Sequence, residues 1–227
     1  MNKVIIPLDG MQLIQACELT AKLRDFIWGV KINDLFFRYG IQAINELKAM
    51  DVKVMVDAKL FDIPNTMQNT LNELWNADAD LVTVHCASQY EARNYERNQL
   101  VGVTVLTSFD DSDCMEVFSN DVIHTVTKLM ELAIRSQYKN VVCSAKDLEA
   151  IRDSIQAPLV TGDYFQKICP GIRPEWYIKE DDQKRVMTPG RAIKAGADLL
   201  VIGRPITKAL DPLEALHQTN DEIGSVS

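Results

Sequence analysis

The strongest constraint on the fold of this chain is a repeated alternation of two kinds of segment. Short apolar runs alternate with longer stretches of helical period, and this pair repeats eight times along the chain. We predict strands over Val4–Leu8, Ile27–Lys31, Lys53–Ala58, Leu81–His85, Leu100–Leu106, Asn140–Cys143, Gln166–Cys169 and Leu199–Ile202. We predict helices over Gln12–Leu23, Leu35–Lys48, Met67–Trp75, Asp121–Ser136 and Lys146–Ile155, and a less regular, largely polar one over Glu91–Asn98. Eight strand–helix units in 227 residues predict a closed α/β barrel, the (β/α)8 TIM barrel, rather than an open doubly wound sheet.

Length and composition favour one domain that includes the entire sequence. The 227 residues are 47% hydrophobic and contain no Pro/Gly/Ser-rich linker, so we expect a single domain over residues 1–227. The net charge of −8 and the lack of a long Lys/Arg cluster argue against nucleic acid and anionic membranes as partners, because both bind dense basic surface. No apolar segment has the length of a signal peptide or a membrane span, so we expect a cytoplasmic protein.

The cysteines give little support for metal or redox chemistry. Five of them are scattered along the chain without a CxxC pair, and we interpret them as buried free thiols. They are Cys17, Cys86, Cys114, Cys143 and Cys169.

Charged residues stand at the ends of the first three predicted strands. Asp9 follows the first, Lys31 ends the second, and Asp57 and Lys59 stand two apart at the end of the third, where both project to the same side. Barrel enzymes place their chemistry where strands end, so we expect these residues at one mouth. Adjacent strands would make them an alternating set in which each charge keeps its neighbour ionised. The alternative is a purely structural ion-pair network, although desolvating four charges for stability alone gives little net gain.

Two arginines follow the last two predicted strands, where barrels commonly bind phosphate. Arg173 lies in a Pro-Gly-Ile-Arg-Pro segment, and Gly203-Arg204 follows the eighth strand, with the glycine allowing close approach of the backbone. The polar stretch Lys179–Arg185, which contains Gln183, is long enough to cover such a phosphate. Each arginine alone is more often part of a surface salt bridge, but the two together at these positions favour a phosphate site.

Other strand ends carry polar residues of less specific meaning. Thr107 and Ser108 follow the fifth strand and Ser144 follows the sixth. His85 ends the fourth strand, where an acid–base role and a hydrogen-bonded wall of the pocket are equally compatible with the sequence.

Four segments together resemble the orotidine 5'-phosphate decarboxylase family over the whole length of the chain. They are Asp57-x-Lys59-x-x-Asp62-Ile63-Pro64-Asn65-Thr66, Pro170-Gly171-Ile172-Arg173-Pro174, Asp182-Gln183-Lys184-Arg185 and Gly203-Arg204-Pro205-Ile206-Thr207. The DxKxxD core is shared with sugar-phosphate enzymes of the same barrel group. The continuation Ile63-Pro64-Asn65-Thr66 and the segments Pro170–Pro174 and Gly203–Thr207 resemble the decarboxylase specifically.

The resemblance implies decarboxylation of orotidine 5'-monophosphate to uridine 5'-monophosphate, with no metal or organic cofactor. By position, Asp57 would face the substrate carboxylate, Lys59 would protonate C6 and Lys31 would complete the charged network. Asp62, together with Ile63 and Thr66, would reach the active site of a neighbouring subunit, so a homodimer with shared sites is implied. The remaining substrate contacts implied are Asp9 and Lys31 to the ribose, Thr107 or Ser108 to the pyrimidine, and Arg173, Gln183, Gly203 and Arg204 to the phosphate.

A few positions depart from the family pattern without removing a charged group. Phe61 stands where histidine is common, Asn33 and Gln89 where glycine is usual, and Cys169 where threonine often precedes the Pro-Gly-Ile segment. Asn33 and Gln89 therefore raise a question about the backbone near the second and fourth strands.

Two alternatives use the same sequence features. A magnesium-dependent sugar-phosphate decarboxylase or aldolase would use Asp57 and Lys59, but the continuation Ile63–Thr66 and the lack of a further acid just before Asp57 argue against it. A non-catalytic barrel that binds a nucleotide would not be expected to retain so many costly charges.

Overall fold

The computed structural model of the protein describes residues 2–91, 98–152, 165–177 and 185–225. Eight parallel strands close into a barrel in which each strand pairs with the next and the last pairs with the first, as predicted. The strands are β1 (Val4–Pro7), β2 (Gly29–Ile32), β3 (Val54–Leu60), β4 (Leu81–His85), β5 (Leu100–Val103), β6 (Asn140–Val142), β7 (Gln166–Cys169) and β8 (Leu199–Val201).

Helices follow the strands and cover the outside of the barrel. Those within the described ranges are α1 (Leu13–Leu23), α2 (Asp34–Tyr39), α3 (Ile41–Lys48), α4 (Pro64–Asn76), α5 (Asp111–Phe118), α6 (Val122–Arg135), α7 (Ala145–Arg152), α8 (Pro189–Lys194), α9 (Arg204–Thr207) and α10 (Pro212–Gly224). None of these helices has the length and apolar character needed to cross a membrane.

Two apolar layers hold the barrel together. The inner one consists of strand residues that fill the barrel interior: Ile5, Met55, Leu81, Val101, Ile168, Leu199 and Val201. The outer one combines buried residues of the other strand face with buried helix residues, among them Val56 of β3, Val82 of β4 and Leu71 of α4. Burial on both faces is why these strands read as continuous apolar runs rather than alternating ones.

Side-chain caps set the start of several helices, among them α5 and α6. Asp121 accepts a hydrogen bond from the His124 amide at 2.8 Å and so begins α6 at Val122, close to the predicted boundary. Asp110 and Asp113 form a reciprocal capping box that begins α5. Helix α5 is not among the predicted helices, because it is short and its first turn is acidic rather than apolar.

The predicted helix Leu35–Lys48 is wrong as a single element. Gly40 adopts φ +58° and ψ −139°, a conformation that side chains disfavour, and it separates α2 from α3. Six of the eight strand ends also differ from the prediction by one to three residues. The largest differences are in β5, which ends at Val103 rather than Leu106, and in β3, which continues past Ala58 to Leu60. The predicted helix Glu91–Asn98 and the predicted end of α7 at Ile155 lie outside the described residues, apart from Glu91 and Asn98 themselves.

The thiols are free, and most are buried as predicted. Cys86, Cys114, Cys143 and Cys169 are buried, whereas Cys17 is half-buried.

The contact between β2 and β3 leaves no room for a side chain at Gly29. A Cβ atom there would lie 2.6 Å from the backbone oxygen of Lys53, which cannot move without shifting β3. We therefore expect Gly29→Ala to lower the free energy of unfolding by about 1–3 kcal/mol, measured by urea denaturation. The matched control is Gly224→Ala at the end of α10, where a Cβ atom meets nothing within 4 Å. An equal loss in both variants would contradict the packing explanation.

Candidate active site

A bulge in β3 brings Asp57 and Lys59 together. β3 pairs with β4 at Val56↔Val82 and next at Leu60↔Val84, so three residues of β3 lie opposite one residue of β4. Within the bulge Lys59 has φ +46°, a left-handed conformation uncommon for a residue with a side chain. The Lys59 Nζ atom lies 2.9 Å from Asp57 Oδ1. The prediction that both side chains share one side is confirmed, although a bulge rather than regular strand alternation achieves it.

The four predicted charged residues form one continuous chain of ion pairs. Lys31 Nζ lies 3.0 Å from Asp57 Oδ2 and 3.2 Å from Asp9 Oδ2. The two oxygens of Asp57 therefore contact different lysines, Lys31 through Oδ2 and Lys59 through Oδ1. Charges alternate along the order Asp9, Lys31, Asp57, Lys59.

Burial differs between the middle and the ends of this chain. The side chains of Lys31 and Asp57 are 11% and 12% exposed, whereas those of Lys59 and Asp9 are 38% and 50% exposed. Burial alone would raise the pKa of Asp57, but Lys31 and Lys59 outweigh it and hold that pKa below its ordinary value. Burial alone would lower the pKa of Lys31, but Asp57 and Asp9 raise it. The buried pair stays ionised, and the two ends of the network are open to a ligand.

Two further side chains contact Asp57, and neither was singled out as a site residue from sequence. The Thr83 hydroxyl on β4 donates to Asp57 Oδ1 at 3.0 Å and accepts from the Lys59 amide at 2.8 Å. Asn33, after β2, donates from Nδ2 to the Asp57 carbonyl at 2.6 Å. The departure of Asn33 from the family pattern was the only sequence signal for either contact.

The charged chain lines one side of a cavity at the carboxyl ends of the strands. The cavity has a volume of about 580 Å³, and Arg173 and Arg204, which follow β7 and β8, also line it. Gly203 also lines it, and a Cβ atom there would lie 2.9 Å from Pro7 Cγ, so the glycine keeps β8 close to β1. Lys208, four residues after Arg204 in the sequence, adds a cation that the sequence analysis did not select.

The remaining predicted site residues are divided between the cavity and the surface. Thr107 lines the cavity, whereas Ser108 is exposed and is not among the described lining residues. Asp62, Ile63 and Thr66 are exposed and also do not line it. Gln183 lies outside the described residues.

Two departures from the family pattern have a structural description. Gln89 adopts φ +52° at the end of a short 3-10 turn, the kind of conformation that favours the usual glycine. Phe61 is 67% exposed and stacks on His85 with ring centroids 5.6 Å apart.

His85 accepts a hydrogen bond from the Ala87 amide at 3.2 Å, and burial lowers its pKa. His85 is not among the described residues that line the cavity.

The largely buried Arg185 connects the segment before α8 to the residues that follow β5. Arg185 pairs through Nη1 with Asp147 at the start of α7, and its Nη2 donates to the carbonyls of Val105 and Leu106 at 3.2 and 2.7 Å. Val105, Leu106 and the neighbouring Thr107 all line the cavity, so this contact fixes one of its walls. Burial raises the pKa of Asp147 to about 6 although the guanidinium lies beside it.

The fold and this cavity define the general class of the protein. In this α/β barrel, acidic and basic side chains lie together at the carboxyl ends of the strands. This is the arrangement of TIM-barrel enzymes. The sequence comparison specifies the class further. The chain belongs to the orotidine 5'-phosphate decarboxylase / HUMPS family, whose sequence model matches residues 2–219.

Individual relatives agree with this assignment over almost the full length of the chain. Orotidine 5'-phosphate decarboxylase from Nitrosomonas europaea is 36% identical, with 99% of this chain and 98% of the relative covered. The enzyme of the same name from Dictyoglomus thermophilum is 34% identical, covering 99% of this chain and 96% of the relative. The crystal structure of orotidine 5'-phosphate decarboxylase from Lactobacillus acidophilus superposes with a TM-score of 0.76 at 28% identity, covering 98% and 99% of the two chains.

The raised pKa of Asp147 gives a prediction about stability and pH. The folded protein holds this proton more tightly than the unfolded chain, so the contribution of Asp147 to the free energy of unfolding falls as pH rises from about 4 to about 6. The advantage of the wild type over Asp147→Asn should therefore shrink by roughly 3 kcal/mol between about pH 4 and about pH 7 in urea denaturation. Glu149→Gln, which alters an exposed pair with Arg191, is the control and should show no such trend. A difference between wild type and Asp147→Asn that is constant with pH would contradict the assignment.

Proposed function

We propose that this protein decarboxylates orotidine 5'-monophosphate to uridine 5'-monophosphate in de novo pyrimidine biosynthesis, in the cytoplasm and without a metal or organic cofactor. The observation that carries the proposal is the continuous ion-pair chain from Asp9 to Lys59, which lines the same cavity as two arginines. Curated relatives named for this activity, at 34% and 36% identity, support the same reaction.

The reaction breaks the bond between C6 and its carboxylate, and the electron pair stays on C6 as carbon dioxide leaves. No adjacent group of the ring accepts that pair, so stabilisation must come from preorganised charge. We assign this role to Lys59, whose ammonium group is held by Asp57 at 2.9 Å and is partly open to the cavity. Lys59 then donates a proton to C6, which gives the product and a neutral amine that is reprotonated from solvent.

The neighbouring charges hold the Lys59 ammonium group in place and balance the charge of its partner. Asp57 carries a negative charge next to the ammonium group, and Lys31 balances that charge from the buried side. We place the substrate carboxylate beside Asp57 and the ribose hydroxyls at Asp9 and Lys31, the other end of the ion-pair chain. Thr107, which lines the cavity, is the better candidate than the exposed Ser108 for a contact to the pyrimidine.

The phosphate belongs at the side of the cavity formed after β7 and β8. Arg173 and Arg204 supply two cations there, and Gly203 leaves the backbone accessible. We assign Gln183 to the same phosphate on the basis of its position in the family motif. Binding energy from this remote group can be used at the reacting carbon, because only interactions strengthened in the transition state raise the rate.

We also propose that the active site is shared between two subunits. Asp62, Ile63 and Thr66 lie just after the charged strand end yet are exposed and do not line the cavity of their own chain. Phe61 and Ile63 expose 67% and 66% of their surface, a large apolar area for a monomer at this position. A second copy of the chain would cover it and receive Asp62 in its own site.

The alternative, a magnesium-dependent sugar-phosphate reaction, would use the same Asp57 and Lys59, and no contact of the described residues favours it over the decarboxylation. The curated relatives reported above are named as decarboxylases of orotidine 5'-phosphate.

Turnover of orotidine 5'-monophosphate by chelator-treated protein tests the reaction directly, by the change in ultraviolet absorbance. We expect metal-independent turnover by the wild type and a loss of at least roughly 10³-fold in Lys59→Ala, the scale of losing a preorganised electrostatic stabiliser. The matched control is Lys128→Ala on α6, whose side chain is 68% exposed and pairs only with Glu131 among the described residues. A metal requirement would contradict the cofactor claim, and undiminished turnover in Lys59→Ala would contradict the role of Lys59.

Mixing two inactive variants tests the shared site. Subunit exchange between Lys59→Ala and Asp62→Ala should restore about a quarter of wild-type activity, because half of the dimers are mixed and each contains one intact site. The control mixture of Lys59→Ala with Asp57→Ala should stay inactive, since both residues serve the site of their own chain. Failure of the first mixture to recover under proven exchange would contradict the shared site.

A further inference from the structure

The bulge that presents Asp57 and Lys59 is held from β4 by one buried hydroxyl. Thr83 is fully buried and lies between Val82 and Val84, which pair with the residues on either side of the bulge. Its neighbours are valines, and an apolar β-branched residue would fit a buried strand equally well. A buried hydroxyl costs free energy unless it is hydrogen-bonded, so its presence calls for a specific partner.

Thr83 has two such partners, and both belong to the charged site. The hydroxyl accepts from the Lys59 amide at 2.8 Å, and its own proton goes to Asp57 Oδ1 at 3.0 Å. The bulge removes Lys59 from regular pairing with β4, and the hydroxyl supplies the acceptor that its amide then needs. A left-handed conformation costs a residue with a side chain on the order of 1 kcal/mol, and this hydrogen bond helps to offset that cost.

The second hydrogen bond fixes the orientation of the Asp57 carboxylate. Oδ1 receives both the Thr83 hydroxyl and Lys59 Nζ, while Oδ2 receives Lys31 Nζ. With the carboxylate held in this plane, each lysine has its own oxygen. Without the hydroxyl, the carboxylate can rotate and the Lys59 ammonium group loses its fixed position.

We propose that Thr83 is a positioning residue of the reaction, which acts through the Lys59 backbone and the Asp57 carboxylate to hold the Lys59 ammonium group against the substrate. The inference rests on the proposed function. Asn33, which follows β2, donates from Nδ2 to the Asp57 carbonyl at 2.6 Å. The bulge is therefore hydrogen-bonded to side chains from both neighbouring strands or their ends. Both hydrogen bonds described for Thr83 go to the charged end of β3, to Lys59 and Asp57.

This arrangement separates two kinetic effects. Phosphate and ribose contacts come from other elements, so loss of the hydroxyl should leave KM and the affinity for uridine 5'-monophosphate within about twofold. The turnover number depends on the position of Lys59, so kcat should fall by about 10–100-fold, which corresponds to loss of one hydrogen bond to a charged group.

Thr83→Val and Thr83→Ser form the matched pair that tests this. Valine keeps the shape and removes the hydroxyl, whereas serine keeps the hydroxyl and removes a methyl group. We expect the kcat loss only in Thr83→Val, with kcat normalised to the number of sites that bind uridine 5'-monophosphate, and near wild-type kcat in Thr83→Ser. Equal kcat values for Thr83→Val and wild type would overturn the proposal, as would an equal loss in both variants.

Crystal structures of the wild type and both variants make the test independent of the proposed function. We expect Lys59 Nζ to leave Asp57 Oδ1 in Thr83→Val and to stay in Thr83→Ser. An unmoved Lys59 in Thr83→Val would overturn the inference even if the wild type turned over no orotidine 5'-monophosphate. If the wild type does not turn over orotidine 5'-monophosphate but Lys59 is displaced in Thr83→Val, the proposed function is refuted and the role of Thr83 in positioning Lys59 stands. If Thr83→Val does not fold, Asn33→Ala removes the contact to the bulge from the β2 side and should displace Lys59 as well. An unmoved Lys59 in Asn33→Ala would contradict the proposal that side chains of the flanking strands position it.

Discussion

The Asp57 carboxylate is shared by two ammonium groups, and the geometry of the site depends on that sharing. A single buried carboxylate would be strongly destabilised by desolvation, as would a single buried lysine. Lys31 and Asp57 are both largely buried, and each offsets the desolvation of the other at a distance of 3.0 Å. The charge that remains is presented by Lys59 at the more open end. A buried ion pair thus supports a partly exposed cation at the place where a reaction would need it.

The backbone is shaped around this interaction rather than the reverse. A regular strand would continue its ladder with β4 through Asp57 and Lys59, but here three residues of β3 lie opposite one of β4. Thr83 on β4 accepts the hydrogen bond of the Lys59 amide within the bulge, and Asn33 donates to the Asp57 carbonyl just beyond the end of β2. The same principle applies at the far side of the cavity, where Arg185 binds carbonyls beyond the end of β5. At both places side chains bind backbone groups that lie outside the regular strand pairing.

Much of this structure could be predicted from the sequence because the relevant signals are local. Apolar runs and helical period indicated the eight strands and the barrel, and charges at strand ends identified Asp9, Lys31, Asp57 and Lys59 before any geometry was known. The misses arise from contacts between residues distant in sequence or from single backbone angles. The sequence around Thr83 does not distinguish a hydroxyl that is hydrogen-bonded to Asp57 from that of any other threonine in a strand. The break at Gly40 depends on one φ value inside an otherwise periodic helix.

The central claim is that Asp57 is held ionised between two lysines, and its own titration tests this most directly. The carboxyl carbon of Asp57 can be followed by carbon-13 NMR in ligand-free protein, with Asp57→Asn to assign the signal. We predict that Asp57 titrates with a midpoint below that of an ordinary aspartate, about 3.9, because both lysines lower its pKa. A titration of Asp57 above about pH 5 would show that desolvation outweighs the two ammonium groups, and would contradict the account.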